Sequence, residues 1–465
     1  MTMADDRITL NGIDATTGEY LVPPMTAEEL AEVARREKED PAQAGLLKRV
    51  ARALQEVFLG LPMDVAPTDV TRAGWAVVFS ADADPAMREA LLPLVAHRQS
   101  KVAADRFKVL DYLPGEGRQA WLARHGAAPG SVDPTRVPYY VLLVGTPEQI
   151  PFEFQVLLDV EHAVGRIAFQ TPDEYRRYAE SVVVSESSPP SGEKAWAAVF
   201  APRTLGDGAT EMSSTQLAAP LADMLEQAPE SAGVVRALEQ DATKANLAAL
   251  VHGASHRSPL TFTASHGMGA PAGDPYQEAY GGALLCQDWP GPGQPIDYGA
   301  HCFAAADVPA DAQLLGRVFM HFACFSAGTP QIDEFTPLGP PVPLAPRPFV
   351  ARLPQALMSH PNGGALAVIG HIERAWGWSI ATEAGRQIQP FTNTARAILA
   401  GWPVGHAVKD FNERFASLSA ELSQMMEYAL HGAIVPPQEI ARRYMERNDA
   451  RNYSLLGDPA VRLNV

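Results

Sequence analysis

The sequence predicts an α/β protein of two adjacent doubly wound, mostly parallel sheets with flanking helices, followed by a helical C-terminal region. Three observations carry this expectation. Short apolar runs alternate with amphipathic stretches in two successive series, a polar break separates the series, and the last third of the 465 residues is mostly helical in its periodicity. Strand and helix alternate in this way when each crossover helix packs back on a face of a parallel sheet.

Residues 26–58 carry apolar side chains at helical spacing, interrupted by Pro41, which predicts two helices in an N-terminal helical arm over 1–65. GWAVVFSAD (74–82), FKVLDYL (107–113) and YYVLLVG (139–145) read as strands, with helices over 87–102 and 117–126 between them. Thr171-Pro172-Asp173-Glu174 has capping-box spacing with proline at the first helical position, so a helix should start there. These elements predict an α/β subdomain over 66–184. SESSPPSGEK (185–194) is polar with a double proline and reads as the linker.

The second subdomain, 195–465, runs AWAAVFA (195–201), a helix near 215–227, GVVRAL (233–238) and a helix near 241–252. Strands then follow at LTFTASHG (260–267), RVFMHFACFSAG (317–328) and 363–370, before helices over roughly 379–446. Between them TPQIDEFTPLGPPVPLAPRP (329–348) holds seven prolines in twenty residues, an extended segment that either borders the site or is a surface insertion.

Composition narrows the function. A net charge of −17 and a pI near 5.2 argue against nucleic acid as a partner, because phosphate binding needs clustered Lys and Arg. The acidic start MTMADDRITLNG and the lack of a run of about 20 apolar residues predict no membrane span and a cytoplasmic protein. Cys286, Cys302 and Cys324 are odd in number and form no CxxC pair, so neither a disulfide framework nor a structural metal site is expected.

Two strand-like runs close on reactive residues, one at His266-Gly267 and the other at Cys324. A thiol attacks only as thiolate, and an imidazole beside it is the common means of generating one near neutral pH. Parallel strands deliver their C-terminal residues to a shared crevice, so the two should meet there. Gly267 and Gly269 would let the backbone bend sharply and aim an amide at an oxyanion, and the Phe-Ser-Ala-Gly after Cys324 suits a tight turn. His252 and His256 are spaced i,i+4, but Gly253 and the lack of a flanking Glu argue against metal. His301-Cys302 reads as loop, and Asp458 as a turn residue.

The order of these residues resembles a known group. His-Gly after one apolar strand, with Ala-Cys about 58 residues later after another, is similar to the caspase-fold cysteine peptidases, particularly their gingipain-like and CHAT-domain branches. YYVLLVGTPEQIPFEF (139–154), AVGRIAF (163–169), GGALAVIGHIERAW (363–376) and YSLLGDPAVRL (453–463) resemble further family segments in the same order, covering roughly 139–465. The resemblance implies a cysteine endopeptidase acting on protein or peptide substrates, with the second half catalytic and the 66–184 subdomain non-catalytic; acyl transfer through a thioester implies no cofactor, although some relatives hold a structural calcium. Cys324 would attack, His266 would shuttle the proton, and the Gly267 and Cys324 amides would hold the oxyanion, with no third residue required. It also implies a primary pocket lined by Trp376, with Ser265 and Trp378 beside it. Ser214 falls where gingipains carry an arginine-binding acid, although Asp207 or Glu211 could substitute after a small shift. The rival expectation is a non-catalytic caspase-fold scaffold that binds a partner through the proline-rich segment or the acidic surface.

Overall fold

The computed structural model describes residues 7–8, 12–15, 17–39, 60–254, 258–333, 342–377, 380–382 and 385–465. Its centre is one sheet of ten strands: β1 (Trp75–Ser80), β2 (Phe107–Tyr112), β3 (Tyr140–Val144), β4 (Ala163–Ile167), β5 (Ala195–Ala201), β6 (Ser231–Leu238), β7 (Leu260–Ala264), β8 (Val318–Phe322), β9 (Ala367–His371) and β10 (Tyr453–Gly457). The spatial order is β2-β1-β3-β4-β10-β9-β8-β7-β5-β6. Both expected doubly wound halves are present, and they share this single sheet edge to edge. Neighbours within β2-β1-β3-β4-β10 run parallel, as do those within β9-β8-β7-β5-β6, and the junction between β10 and β9 is antiparallel.

Alternate residues of the first half feed two cores, as the period-two geometry of a strand requires. Trp75, Val77, Phe79, Tyr140, Leu142 and Val144 pack on one face with Leu94, Tyr175 and Val182. Val78, Val141 and Leu143 pack on the other with Trp121, Phe154 and Leu158. The helix beginning after Thr171 spans Pro172–Ser187 with the anticipated capping box and Pro172 in its first turn, so the linker loses Ser185 to Ser187 to that helix. The stretch 87–102 is two helices, Pro85–Ala90 and Leu92–Lys101, broken where Pro93 cannot donate a backbone hydrogen bond.

The motif segments have structural reasons. Buried Arg166 donates to the carbonyls of Gly145 (2.9 Å) and Ile150 (2.6 Å) and to Gln155 Oε1 (2.8 Å), which ties the β3 exit to β4. Gly165 must lack a side chain, since a Cβ there would sit 2.1 Å from the Gly457 carbonyl oxygen. Asp458 does more than shape a turn. It caps Ala460 N (3.0 Å), accepts from Trp75 Nε1 (3.0 Å) and pairs with Arg98 Nε (2.6 Å), while Arg98 also grips Glu186 at 2.7 Å.

That buried network fastens the chain end to the first half. Asp458→Ala strands Arg98 without one of its carboxylates and should cost about 3–5 kcal/mol in urea unfolding; a loss under about 1 kcal/mol would refute the fastening role. Burial raises the Glu186 carboxyl, but Arg98 and His97 outweigh it and hold it at about 2, below its ordinary 4.5. A depressed carboxylate contributes stability above its unfolded value, so this part drains as pH falls from about 4.5 through about 2.

Before its first helix the N-terminal arm holds a strand, Arg7–Ile8, paired antiparallel with Met25–Thr26, and between the two a hairpin. Its arms, 12–14 and 19–21, are joined by Asp14 N to Glu19 O and Leu21 N to Gly12 O, both 2.8 Å. The helix Ala27–Glu39 then packs against Pro437–Asn452, and the expected second arm helix lies outside the described residues. The C-terminal region is helical as expected, through Gln389–Leu399, Lys409–Leu430 and Pro437–Asn452. No described helix is long and apolar enough to cross a membrane.

Candidate active site

β5, β7 and β8 end beside one another, and the loops leaving them carry Asp207, His266 and Cys324. In the second half the chain runs from β5 out to β6 and then back past β5 to β7, so the crossover direction reverses between β5 and β7. A crevice opens at the carboxyl ends of strands at such a switch point. All three side chains are nearly sealed from solvent, Cys324 at 2% exposure and His266 at 3%.

His266 Nε2 lies 2.7 Å from Asp207 Oδ2. Asp207 is the N-cap of Gly208–Met212, and it also accepts from Ala209 N (3.2 Å), Thr210 Oγ1 (2.8 Å) and the Tyr20 hydroxyl (3.2 Å). Burial pushes its carboxyl up, but the facing His266 charge and these hydrogen bonds outweigh that and hold it well below the usual carboxylate range. A carboxylate only accepts, so Nε2 carries the proton and Nδ1 remains for chemistry. Tyr20 and Trp289 meet the imidazole edge-on, at ring separations of 6.4 and 6.2 Å. The sequence alone placed Asp207 only as a pocket acid, whereas its partner is the histidine.

Cys324 begins a tight turn made by Phe325, which takes φ 58°, a left-handed conformation uncommon for a non-glycine residue, while Ser326 Oγ donates to Ala323 O at 2.7 Å. Its Sγ accepts from Ala375 N at 3.3 Å. Burial pushes the thiol up to about 11, partly offset by the Ala375 amide, the Arg374 charge and the Gly267 amide. Among the described residues this sulfur hydrogen-bonds to the Ala375 backbone, and no hydrogen bond joins it to His266.

The two glycines after His266 are needed for space and not for a bend. Neither has a positive φ, but a Cβ on Gly267 would lie 1.7 Å from the Cys324 carbonyl oxygen. That approach packs the Gly267 backbone against the Cys324 backbone. A Cβ on Gly269 would lie 2.5 Å from Leu21 Cδ1 of the hairpin.

The other named residues sit around this centre in different settings. Ser265 is buried and donates from Oγ to the His266 carbonyl (3.1 Å). Ser214 is buried in a π-helical stretch, Ser213–Ala218, so the helix expected near 215–227 in fact begins at Gly208. Trp376 is buried among Val22, Met25, Leu30 and Tyr444. Trp378 lies outside the described residues. Glu211 pairs with Arg203 (2.7 Å) at the surface. Arg374 grips Asp333 through two contacts of 2.8 and 2.9 Å, which pins one end of the proline-rich segment beside Cys324.

Among the described residues no cluster of three or more His, Cys, Asp or Glu could hold a metal ion. His252 instead pairs with Asp311 (3.1 Å), and His256 lies outside the described residues. His301 and Cys302 close a short helical turn and open a strand paired to Leu284–Leu285, which corrects the loop expectation.

No family model matches the sequence, and no curated protein matches it. Solved structures do resemble the chain. One, described as the structure of a protease, is 15% identical at a TM-score of 0.45, covering 84% of this chain and 78% of that one. Another, a complex of Porphyromonas gingivalis RgpB pro- and mature domains, is 13% identical at a TM-score of 0.49, covering 84% and 80%.

Proposed function

We propose that the protein is a cysteine endopeptidase of caspase-like fold. The observation that carries this reading is the convergence of Cys324 and the Asp207-bound His266 at neighbouring strand exits. In the proposed reaction the Cys324 thiol gives its proton to His266 Nδ1 and its sulfur bonds to the scissile carbonyl carbon. The resulting oxyanion is held by the Gly267 and Cys324 amides. The C–N bond breaks as His266 returns the proton to the leaving amine, leaving a thioester. A water then attacks with His266 as base, and the C–S bond breaks to release the acid.

A rival reading, a scaffold that keeps the fold without catalysis, is favoured by one observation, the sealed and strongly raised thiol, since inert structural cysteines are buried in the same way. Labelling with a thiol-reactive peptidyl electrophile separates the two. The peptidase reading expects modification at Cys324 that disappears in His266→Ala. Modification no faster than that of an unfolded cysteine supports the scaffold.

The pocket reading, with Trp376 as its wall and Ser214 and Ser265 nearby, gives a further expectation. Asp207 is committed to His266 and Glu211 to Arg203, so neither is free to meet a substrate guanidinium. Fluorogenic peptide libraries should therefore show no exclusive cleavage after arginine, because an unpaired guanidinium would be desolvated at a cost of several kcal/mol. Strict arginine cleavage lost in Glu211→Gln would overturn this assignment.

A further inference from the structure

If Cys324 and His266 work on peptides, something has to leave first. A carbonyl carbon must come within about 3–3.5 Å of the sulfur to react, and the two side chains stand at 2% and 3% exposure. What lies over this face is the chain's own N-terminal hairpin, with arms 12–14 and 19–21. Ile13 and Asp14 pair in parallel with Met268 and Gly269, the residues directly after His266-Gly267. Tyr20, on the returning arm of the hairpin, reaches Asp207 and stands edge-on to His266. Gly12 lies against Arg374, Leu21 against Gly269, and Val22 packs with Trp376. One short segment thus touches the histidine, its carboxylate, the arginine beside the nucleophile and the tryptophan of the proposed pocket wall.

We propose that this N-terminal hairpin is an intramolecular plug that closes the substrate cleft and must swing away before a peptide can bind. The proposal rests on the peptidase reading for what the cleft receives, but not for whether the hairpin shields Cys324. The segment is built to detach as a unit. Its arms are three residues each, and a two-stranded hairpin on its own is marginal in water. Beyond Val22 the chain passes through exposed Pro23 and Pro24 to Met25 and Thr26, which pair with Ile8 and Arg7, and then enters the helix Ala27–Glu39, docked on Pro437–Asn452 by contacts of its own. Release can therefore hinge at the two prolines and leave the Arg7–Ile8 pairing with Met25–Thr26, that helix and the sheet in place. Ile13, buried at 1%, is the apolar peg of the plug, in a cluster with Met268 and Trp289.

The test reads alkylation of Cys324 by iodoacetamide, residue by residue in mass spectra of the full chain, and so does not depend on turnover. Ile13→Asp should release the hairpin and speed Cys324 labelling tenfold or more, while Cys286, buried in the main core, stays slow. The double variant Ile13→Cys/Met268→Cys, at positions paired across the parallel register, should lock the hairpin when oxidised and slow Cys324 labelling at least tenfold relative to the starting chain. Should Cys286 react in step with Cys324 in Ile13→Asp, that variant has unfolded and the locked one decides. Unchanged Cys324 labelling in a folded Ile13→Asp chain, or in the locked chain, overturns the plug. Faster labelling with no peptide cleavage leaves the plug standing and removes the peptidase. Cleavage without any change in labelling does the reverse.

Discussion

On the proposed mechanism, replacing Cys324 by alanine should lower peptide cleavage by about 10⁴-fold or more, because the thioester forms on that sulfur. The fold survives the change. The side chain loses one sulfur from a turn whose shape is set by Phe325 and by the Ser326 hydrogen bond to Ala323, and the Ala375 amide loses a weak acceptor. The stability cost should be about 1–2 kcal/mol in thermal or urea unfolding. Cys286→Ala and Cys302→Ala supply the contrast. Both thiols are buried and raised by that burial, and neither lies at a strand exit of the cleft, so turnover should stay within about twofold. Residual activity in Cys324→Ala comparable to the starting protein would sink the mechanism, and activity lost equally in all three variants would point to folding as the cause.

The features of this site that were legible in the sequence are those fixed by local pattern. An apolar run of strand length ending in His-Gly or Ala-Cys reports both the element and the place where its last residue emerges, and β7 and β8 end within two residues of His266 and Cys324. Thr171-Pro172-Asp173-Glu174 was legible for the same reason, since a capping box is complete within four residues. What escaped depends on contacts between distant segments. YSLLG resembles any short apolar run; its place as β10 between the halves is decided by Gly165, Tyr178 and Arg98, hundreds of residues upstream. Asp207 looks like an ordinary helix cap before Gly208-Ala209, and it is one, so nothing local marks its second role. Its position just after β5, at the strand where the winding reverses, was the signal available. The hairpin was hidden because three-residue arms carry no periodicity, and only docking against Met268 and Gly269 makes them strands.

Asp207 gives the second large effect. In Asp207→Asn the side chain keeps its size but presents an amide to His266 Nε2. If the NH₂ faces the ring, Nε2 must accept, the proton moves to Nδ1, and the nitrogen that should take the thiol proton is already occupied. Where a carboxylate sets the histidine tautomer in this way, its loss costs hydrolases about 10²–10⁴-fold in kcat. We expect that range here, with KM within about threefold because Asp207 does not reach substrate. Two measurements separate this from simple loss of structure. The ¹⁵N shifts of His266 should show the proton on Nε2 in the starting protein and on Nδ1 in the variant. The stability difference between the two should also depend on pH in one direction only. The Asp207 carboxyl is held below its ordinary 3.8, so its contribution is complete above that value and drains as pH falls below it, and the gap to Asp207→Asn should narrow there. An unchanged tautomer, or kcat within threefold of the starting protein, would mean that the 2.7 Å contact between Asp207 and His266 holds the fold and not the proton.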